Sequence, residues 1–306
     1  MKNFRSLRVS GKRVLLRVDF NVPIERGIIK DKYRIEATLP TIRELLRKKA
    51  SLVILAHLGR PEGHDERLTL RPIARMLSRL LKRKIHFART IEEAEREAPA
   101  LGARHILMLE NIRFFEGETT NSPAFARRLA ALGDVYINDA FGDAHRAHAS
   151  IIGIPQLLPS YAGVRLMEEC QKLQEALTPP QGAIAIIGGA KFETKQPLIE
   201  KLIPQYAKIL VGGAMGNDII KARGLPVGAS LVSNVPANVA IASNDKLAVA
   251  NDAVIEKLDP KDVRTGLIVD VRVDERIVDV GPVTASAWAQ MAEDARKLKM
   301  KAIYYL

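Results

Sequence analysis

Short runs of aliphatic and β-branched residues alternate with longer stretches of helical period through the first half of the chain. The pattern predicts strands at 13–18, 51–56 and 105–110, each followed by a helix, at 39–49, 71–82 and 123–131. A fourth strand is expected at 135–139, then a polar loop and a helix over 164–177 that Thr178-Pro179-Pro180 must end. The alternation resumes with strands at 183–187 and 208–211 and helices at 195–202 and 215–223. Between 232 and 278 the pattern is less clean, with β-like pieces at 265–273 and 276–280. Pro282 then opens a helix to about 298 by the N1-proline rule, and 302–306 reads as one more buried strand. Strand–helix alternation predicts an α/β fold of two Rossmann-like lobes with parallel sheets. We divide the chain into a first lobe at 1–162, an inter-lobe helix and hinge at 163–180, and a second lobe at 181–306. A chain ending on a strand, with no loop or helix after it, reads as a second lobe that is incomplete at its C-terminus.

The length, 306 residues, fits this division, because single cores stop growing at roughly 250–300 residues. No apolar run approaches the ~18 residues that would cross a bilayer, and the basic N-terminal stretch lacks the apolar core of a secretory signal. Cys170 is the only cysteine, which excludes an intrachain disulfide and fits a reducing cytoplasm. The net charge of +12 suits an anionic partner. Basic clusters such as Arg47-Lys48-Lys49 and Lys82-Arg83-Lys84 close predicted helices, however, where positive charge offsets the helix dipole. Aromatic residues are only 5% of the chain, few stacking platforms for bases, so small anions are preferred to nucleic acid as partners.

Parallel sheets bind ligands beyond the carboxyl ends of their strands, and those positions carry the unusual residues here. They are Asp19, Phe20 and Asn21 after the first strand, then His57-Leu58-Gly59-Arg60 after the second. Glu110-Asn111-Ile112-Arg113 follows the third, and Asn138-Asp139 runs on to His145-Arg146-Ala147-His148 after the fourth. Arg34, in the connection to the first helix, extends the same rim. Arg34, Arg60, Arg113 and Arg146 with His57 suit a ligand bearing both carboxylate and phosphate, since guanidinium forks bind either group bidentately. His57 also has a reading as a structural histidine that orients rather than contacts the ligand. A metal site of His145 and His148 with Asp139 or Asp143 is disfavoured by the arginine between the histidines, so no metal-ligating residue is assigned. In the second lobe, Gly188-Gly189-Ala190-Lys191 and Gly212-Gly213-Ala214-Met215 each follow a strand, where glycine lets backbone approach a phosphate and Lys191 and Lys195 add charge. Gly212 and Gly213 have an alternative reading as packing glycines, and Met215 as core.

These segments resemble the phosphoglycerate kinase family. The motifs R-V-D-F-N-V-P, H-L-G-R-P, L-E-N-I-R-F, N-D-A-F-G-D-A-H-R-A-H and G-G-A-K stand in that family's order, and the resemblance runs from about 9 to 306. It implies two lobes that close like a hinge, and reversible phosphoryl transfer between ATP and the carboxylate of 3-phosphoglycerate, giving 1,3-bisphosphoglycerate and ADP with Mg²⁺. It further implies a monomer, and composition and hydropathy lead us to expect no nucleic-acid or membrane partner. Carried across, it implies a substrate site of Asp19, Phe20, Asn21, Arg34, His57, Leu58, Gly59, Arg60, Arg113 and Arg146. The nucleotide site would comprise Gly189, Ala190, Lys191, Lys195, Gly212 and Gly213, with Arg34 and Lys191 catalytic. Three departures stand out. The lysine segment reads Lys191-Phe192-Glu193-Thr194-Lys195, Ala214 replaces the third glycine of G-G-G-M, and the family's later W-N-G-P-x-G-x-x-E and G-G-D/E-S/T segments are absent. Two readings follow: a working kinase, or a phosphoglycerate-binding fragment lacking a complete ATP site.

Overall fold

The computed structural model describes residues 2–190, 192–258, 262–297 and 302–305. It divides into two compact units, 1–172 and 173–306.

In the first unit, β1 (Arg13–Arg17) leads through a two-stranded ribbon of β2 (Ile24–Glu25) and β3 (Ile28–Ile29) to α1 (Tyr33–Arg47). Then come β4 (Ser51–Leu55), α2 (Arg71–Leu81), β5 (His86–Ala88), α3 (Ile91–Glu97), β6 (Ile106–Leu109), α4 (Pro123–Ala131), β7 (Val135–Asn138) and β8 (Ser160–Ala162). The six-stranded sheet runs β5-β6-β4-β1-β7-β8 and is parallel at every pairing. Its central strands are buried on both faces, which explains their continuous apolar runs. Val14, Leu16, Leu52 and Ile54 join one core beneath α1 and α2; Leu15, Val53 and Leu55 join the opposite core with α3 and α4. Each fully buried Leu or Ile contributes about 1.5–3 kcal/mol.

One sequence expectation changes here. Arg34 does not lie in a connection but in the first turn of α1, which begins six residues before the predicted 39. Pro40 falls inside this helix; read from sequence, it resembles a first-turn proline, and the preceding Tyr33-Arg34-Ile35-Glu36 turn buries only Ile35, too little to show a period. Both predicted parallel sheets are present, and a further sheet was not read from the sequence. The second unit contains an antiparallel sheet of order β13-β12-β14, built from β12 (Asp252–Lys257), β13 (Asp262–Leu267) and β14 (Glu275–Val280).

Helix α5 (Val164–Leu177) spans the division between units. The second unit opens with β9 (Ile184–Ile187), α6 (Phe192–Leu202), β10 (Lys208–Val211), α7 (Gly213–Ala222), the single turn α8 (Val239–Ala242) and β11 (Leu247–Ala248). After the antiparallel sheet come α9 (Pro282–Lys297) and β15 (Ala302–Tyr305). The parallel sheet runs β11-β10-β9-β15. Ala185, Ile187, Ile209 and Val211 pack into a core with Phe192 and Met215, while Ile184 and Leu210 pack with Ala295 of α9. Among the described residues no helix is long and apolar enough to cross a membrane.

Candidate functional site

The rim of the first sheet is assembled by hydrogen bonds between loops that leave different strands. Asp19, just beyond β1, accepts from the Asn21 amide at 3.1 Å and pairs with the Arg34 guanidinium. Asn21 in turn accepts from the Gly59 amide at 3.0 Å, joining the loops after β1 and β4. Asn111, fully buried after β6, donates to the Leu58 carbonyl at 2.8 Å and to the Leu68 carbonyl at 3.0 Å. Arg113 donates to the Gly59 carbonyl at 2.5 Å. Gly142, in the loop after β7, lies against Asp19: a Cβ there would stand 2.9 Å from the Asp19 carboxylate oxygen, so any side chain at this position would have to displace that carboxylate.

Beneath this rim lies a buried ionic cluster. Arg17, at the last position of β1, has no exposed surface. It donates to the Asp143 carboxylate at 2.9 Å, to Ser150 Oγ at 3.1 Å and to the Val18 carbonyl at 2.5 Å. The other Asp143 oxygen accepts from Arg146 Nε at 3.1 Å and stands 3.7 Å from Arg113. His57 Nδ1 lies 3.0 Å from Asp143 and 3.2 Å from the Arg17 guanidinium. Since the ionised Asp143 can only accept, the tautomer that bonds it carries the proton on Nδ1 and leaves Nε2 as an acceptor; Arg17, which can only donate, is then a close charge to His57 rather than its hydrogen-bond partner. Burial lowers the His57 pKa and the Arg17 charge adds to it, against the opposing pull of Asp143. Burial pushes the Asp143 carboxyl up, but its bond to His57 and the Arg17 and Arg113 charges outweigh that and hold it well below the usual carboxylate range. Glu118, buried beneath Ser150, accepts from its hydroxyl at 2.6 Å and its amide at 3.0 Å; burial nonetheless raises its pKa.

The structure therefore brings Asp19, Asn21, Arg34, Gly59 and Arg113 into one hydrogen-bonded set, joined through the Arg113–Asp143 ion pair to His57 and Arg146. Arg60 is exposed beside Gly59. Phe20 and Leu58 are core side chains, 0% and 3% exposed, so only their backbone is placed at the rim. Arg34 and Asp19 line a cavity of about 410 Å³ together with Tyr33, Thr38, Gly142 and Arg165. The supporting layer of Arg17, Glu118, Asp143 and Ser150 was not selected from sequence as part of the site. Its one signal was Arg17, a charge closing an otherwise apolar central strand.

In the second unit, Gly213 opens α7 with φ of +65°, a conformation that favours glycine, and its added Cβ would lie 3.2 Å from the Gly189 carbonyl. The same carbonyl accepts from the Met215 amide at 3.1 Å, so the Gly188–Gly189–Ala190 and Gly212–Gly213 loops pack directly on each other. A cavity of about 220 Å³ opens beside them, lined by Gly212, Gly213, Ala214, Asn217, Ile277 and Val280. Met215 is fully buried. Lys195 lies half-buried on α6, and Lys191 falls outside the described residues. Among the described residues no three His, Cys, Asp or Glu side chains are grouped to hold a metal.

By class, this is a Rossmann-like α/β protein with an arginine-rich cluster at the carboxyl ends of a parallel sheet and a glycine-lined pocket in a second unit. The family model for phosphoglycerate kinase matches residues 4–303, and the chain belongs to that family. It is 41% identical to a phosphoglycerate kinase of Thermus thermophilus, across 97% of this chain and 79% of that protein. With the Moorella thermoacetica enzyme it shares 42% identity across 95% of this chain and 78% of the other. Among solved structures, phosphoglycerate kinase from Coxiella burnetii superimposes with a TM-score of 0.82 at 32% identity, covering 99% of this chain and 79% of that one.

Proposed function

We propose that this chain transfers a phosphoryl group reversibly between ATP and the carboxylate of 3-phosphoglycerate, giving 1,3-bisphosphoglycerate and ADP. The observation that carries the reading is the bonded assembly of Arg34, His57, Arg113 and Arg146 at one sheet edge, within a chain of this family. Arg113 and Arg146, with Arg60, receive the ester phosphate, while Asp19 and Asn21 accept from or donate to the rest of the triose. A carboxylate oxygen attacks the γ-phosphorus, the bond to the ADP oxygen breaks, and no proton needs removing from the nucleophile. The protein's task is to align the two and offset charge on the transferring oxygens. Arg34 in the first unit, with Lys191 in the second, is assigned to that offset.

The packed Gly189 and Gly213 loops support placing ATP in the second unit, its base toward the 220 Å³ cavity and its phosphates toward Ala190, Lys191 and Lys195. Mg²⁺ commonly rides on nucleotide phosphates with water and one or two carboxylates, so it would enter with the substrate. A cytoplasmic monomer is the accompanying reading. The alternative of a binding fragment without turnover finds no support in the comparisons, which lead to kinases. A coupled assay with ATP and 3-phosphoglycerate tests the function: turnover is expected, with Arg34→Ala lowering kcat by about two orders of magnitude or more. A folded wild type without turnover would overturn it.

A further inference from the structure

Asp143 is an acid placed where an anion is meant to bind. Its carboxylate is 3% exposed, and both oxygens are committed. One accepts from Arg17 and lies 3.0 Å from His57 Nδ1; the other accepts from Arg146 Nε and stands 3.7 Å from Arg113. Arg17 is entirely enclosed, so its pairing with Asp143 is structural. Arg113 and Arg146 are different. Arg113 Nε is buried without a hydrogen-bond partner among the described residues, and its contact with Asp143 is too long for a hydrogen bond. The Arg146 side chain keeps 32% of its surface exposed and gives Asp143 only its Nε. Arg146 therefore keeps its terminal nitrogens for an incoming anion, while Arg113, its side chain only 6% exposed, has donors not committed to Asp143; an anion drawn to this pair meets a fixed negative charge within 3.7 Å of both guanidinium groups.

We propose that Asp143 is a specificity-determining residue, a built-in counter-anion that weakens the hold of Arg113 and Arg146 on simple anions. Ligands that also engage the rim gain contacts that offset the repulsion. Sulfate or inorganic phosphate reaches only the two arginines. A phosphoglycerate adds contacts at Arg34, Asn21 and Arg60, which lie beyond the reach of the Asp143 oxygens' own bonds. The carboxylate thus trades absolute affinity for discrimination, by the general route of placing repulsion against the wrong ligand. Taking the favoured ligand to be a phosphoglycerate rests on the function proposed above.

Calorimetric titration of the full chain with sulfate, inorganic phosphate and 3-phosphoglycerate tests this, beside the variants Asp143→Asn and Asp143→Ser. Removing a unit charge a few ångströms from the anion is expected to tighten sulfate and inorganic phosphate by about tenfold or more. The 3-phosphoglycerate Kd should change less, so that its preference over sulfate falls. In turnover assays sulfate should become a stronger competitor in both variants. Equal or weaker sulfate binding by variants that melt like the wild type would overturn the proposal and reduce Asp143 to a scaffold. Should neither variant fold, the wild type still decides: sulfate binding within about tenfold of 3-phosphoglycerate would sink it. Loss of the kinase reading shows instead as absent wild-type turnover, and leaves the sulfate comparison intact.

Discussion

Arg17 shows how much of the site rests on residues that never reach solvent. A buried guanidinium is costly unless paired, and here Asp143, Ser150 and the Val18 carbonyl take its donors. His148 belongs to the same layer, and its environment makes a pH dependence. It is 12% exposed, its Nδ1 has no hydrogen-bond partner among the described residues, and Glu118 lies 3.8 Å away. Burial, then the Arg113 and Arg146 charges, push its pKa down to about 4. The folded protein thus holds this ring neutral, while an unfolded chain takes up a proton below about pH 6.5. The resulting stability is fully present above pH 6.5 and is lost as pH falls toward 4. Glu118 titrates in the opposite sense, since its raised pKa favours the folded state at low pH. The difference between wild type and His148→Gln isolates the histidine. In denaturant melts from about pH 7.5 to 4.5, wild type should lose more stability than His148→Gln; parallel losses would refute the assignment. From sequence, Arg113 and Arg146 stood out because charge in the loops after strands is conspicuous, and Arg34 because it precedes the first helix beside the same rim. Asp143 and Glu118 were not, because an acid in a polar loop gives no sign that the fold will bury it.

At the scale of elements, legibility follows burial. Helices α4 and α5 and strand β10 fall where periodicity placed them, each presenting an apolar face to a core or to both sides of a sheet. The antiparallel sheet was obscured because its exposed faces carry large apolar residues: Val263 is 57% exposed, Leu267 54% and Val278 46%. Apolar residues on both faces erase the alternation that marks a half-buried strand. The two-residue strands of the ribbon are too short to carry any period. For the glycine loops, sequence left phosphate contact and tight packing as alternatives, and the geometry supports the second without excluding the first. Gly213→Ala adds a Cβ at positive φ, pressed against the Gly189 carbonyl at 3.2 Å. It should cost about 1–2 kcal/mol of stability. It should also weaken ATP binding, by shifting the Gly189 loop, while leaving 3-phosphoglycerate affinity unchanged. Equilibrium denaturation and calorimetry with each ligand check both parts.

At the scale of the molecule, the division of labour between the units is the remaining consequence. Each has its own parallel sheet and its own buried cores. The candidate anion seat lies wholly within 1–172, and the glycine-lined cavity wholly within 173–306. A ligand stabilises the state that binds it by RT ln(1 + [L]/Kd), about 2.7 kcal/mol at a hundredfold excess over Kd, which slows exchange through unfolding about a hundredfold. If each ligand binds where its chemistry is provided, each protects chiefly its own unit in hydrogen exchange. 3-Phosphoglycerate alone should slow the most protected amides of β1 and β4, and ATP alone those of β9 and β10. Arg113→Ala should abolish the first effect and spare the second, because the proposed function gives that arginine to the anion seat alone. If ATP instead protected β1 and β4 more than β9 and β10, the nucleotide would have been assigned to the wrong unit. The phosphate-binding role of Arg113 would then have to be reconsidered, since two polyanions would be competing for one cluster of arginines.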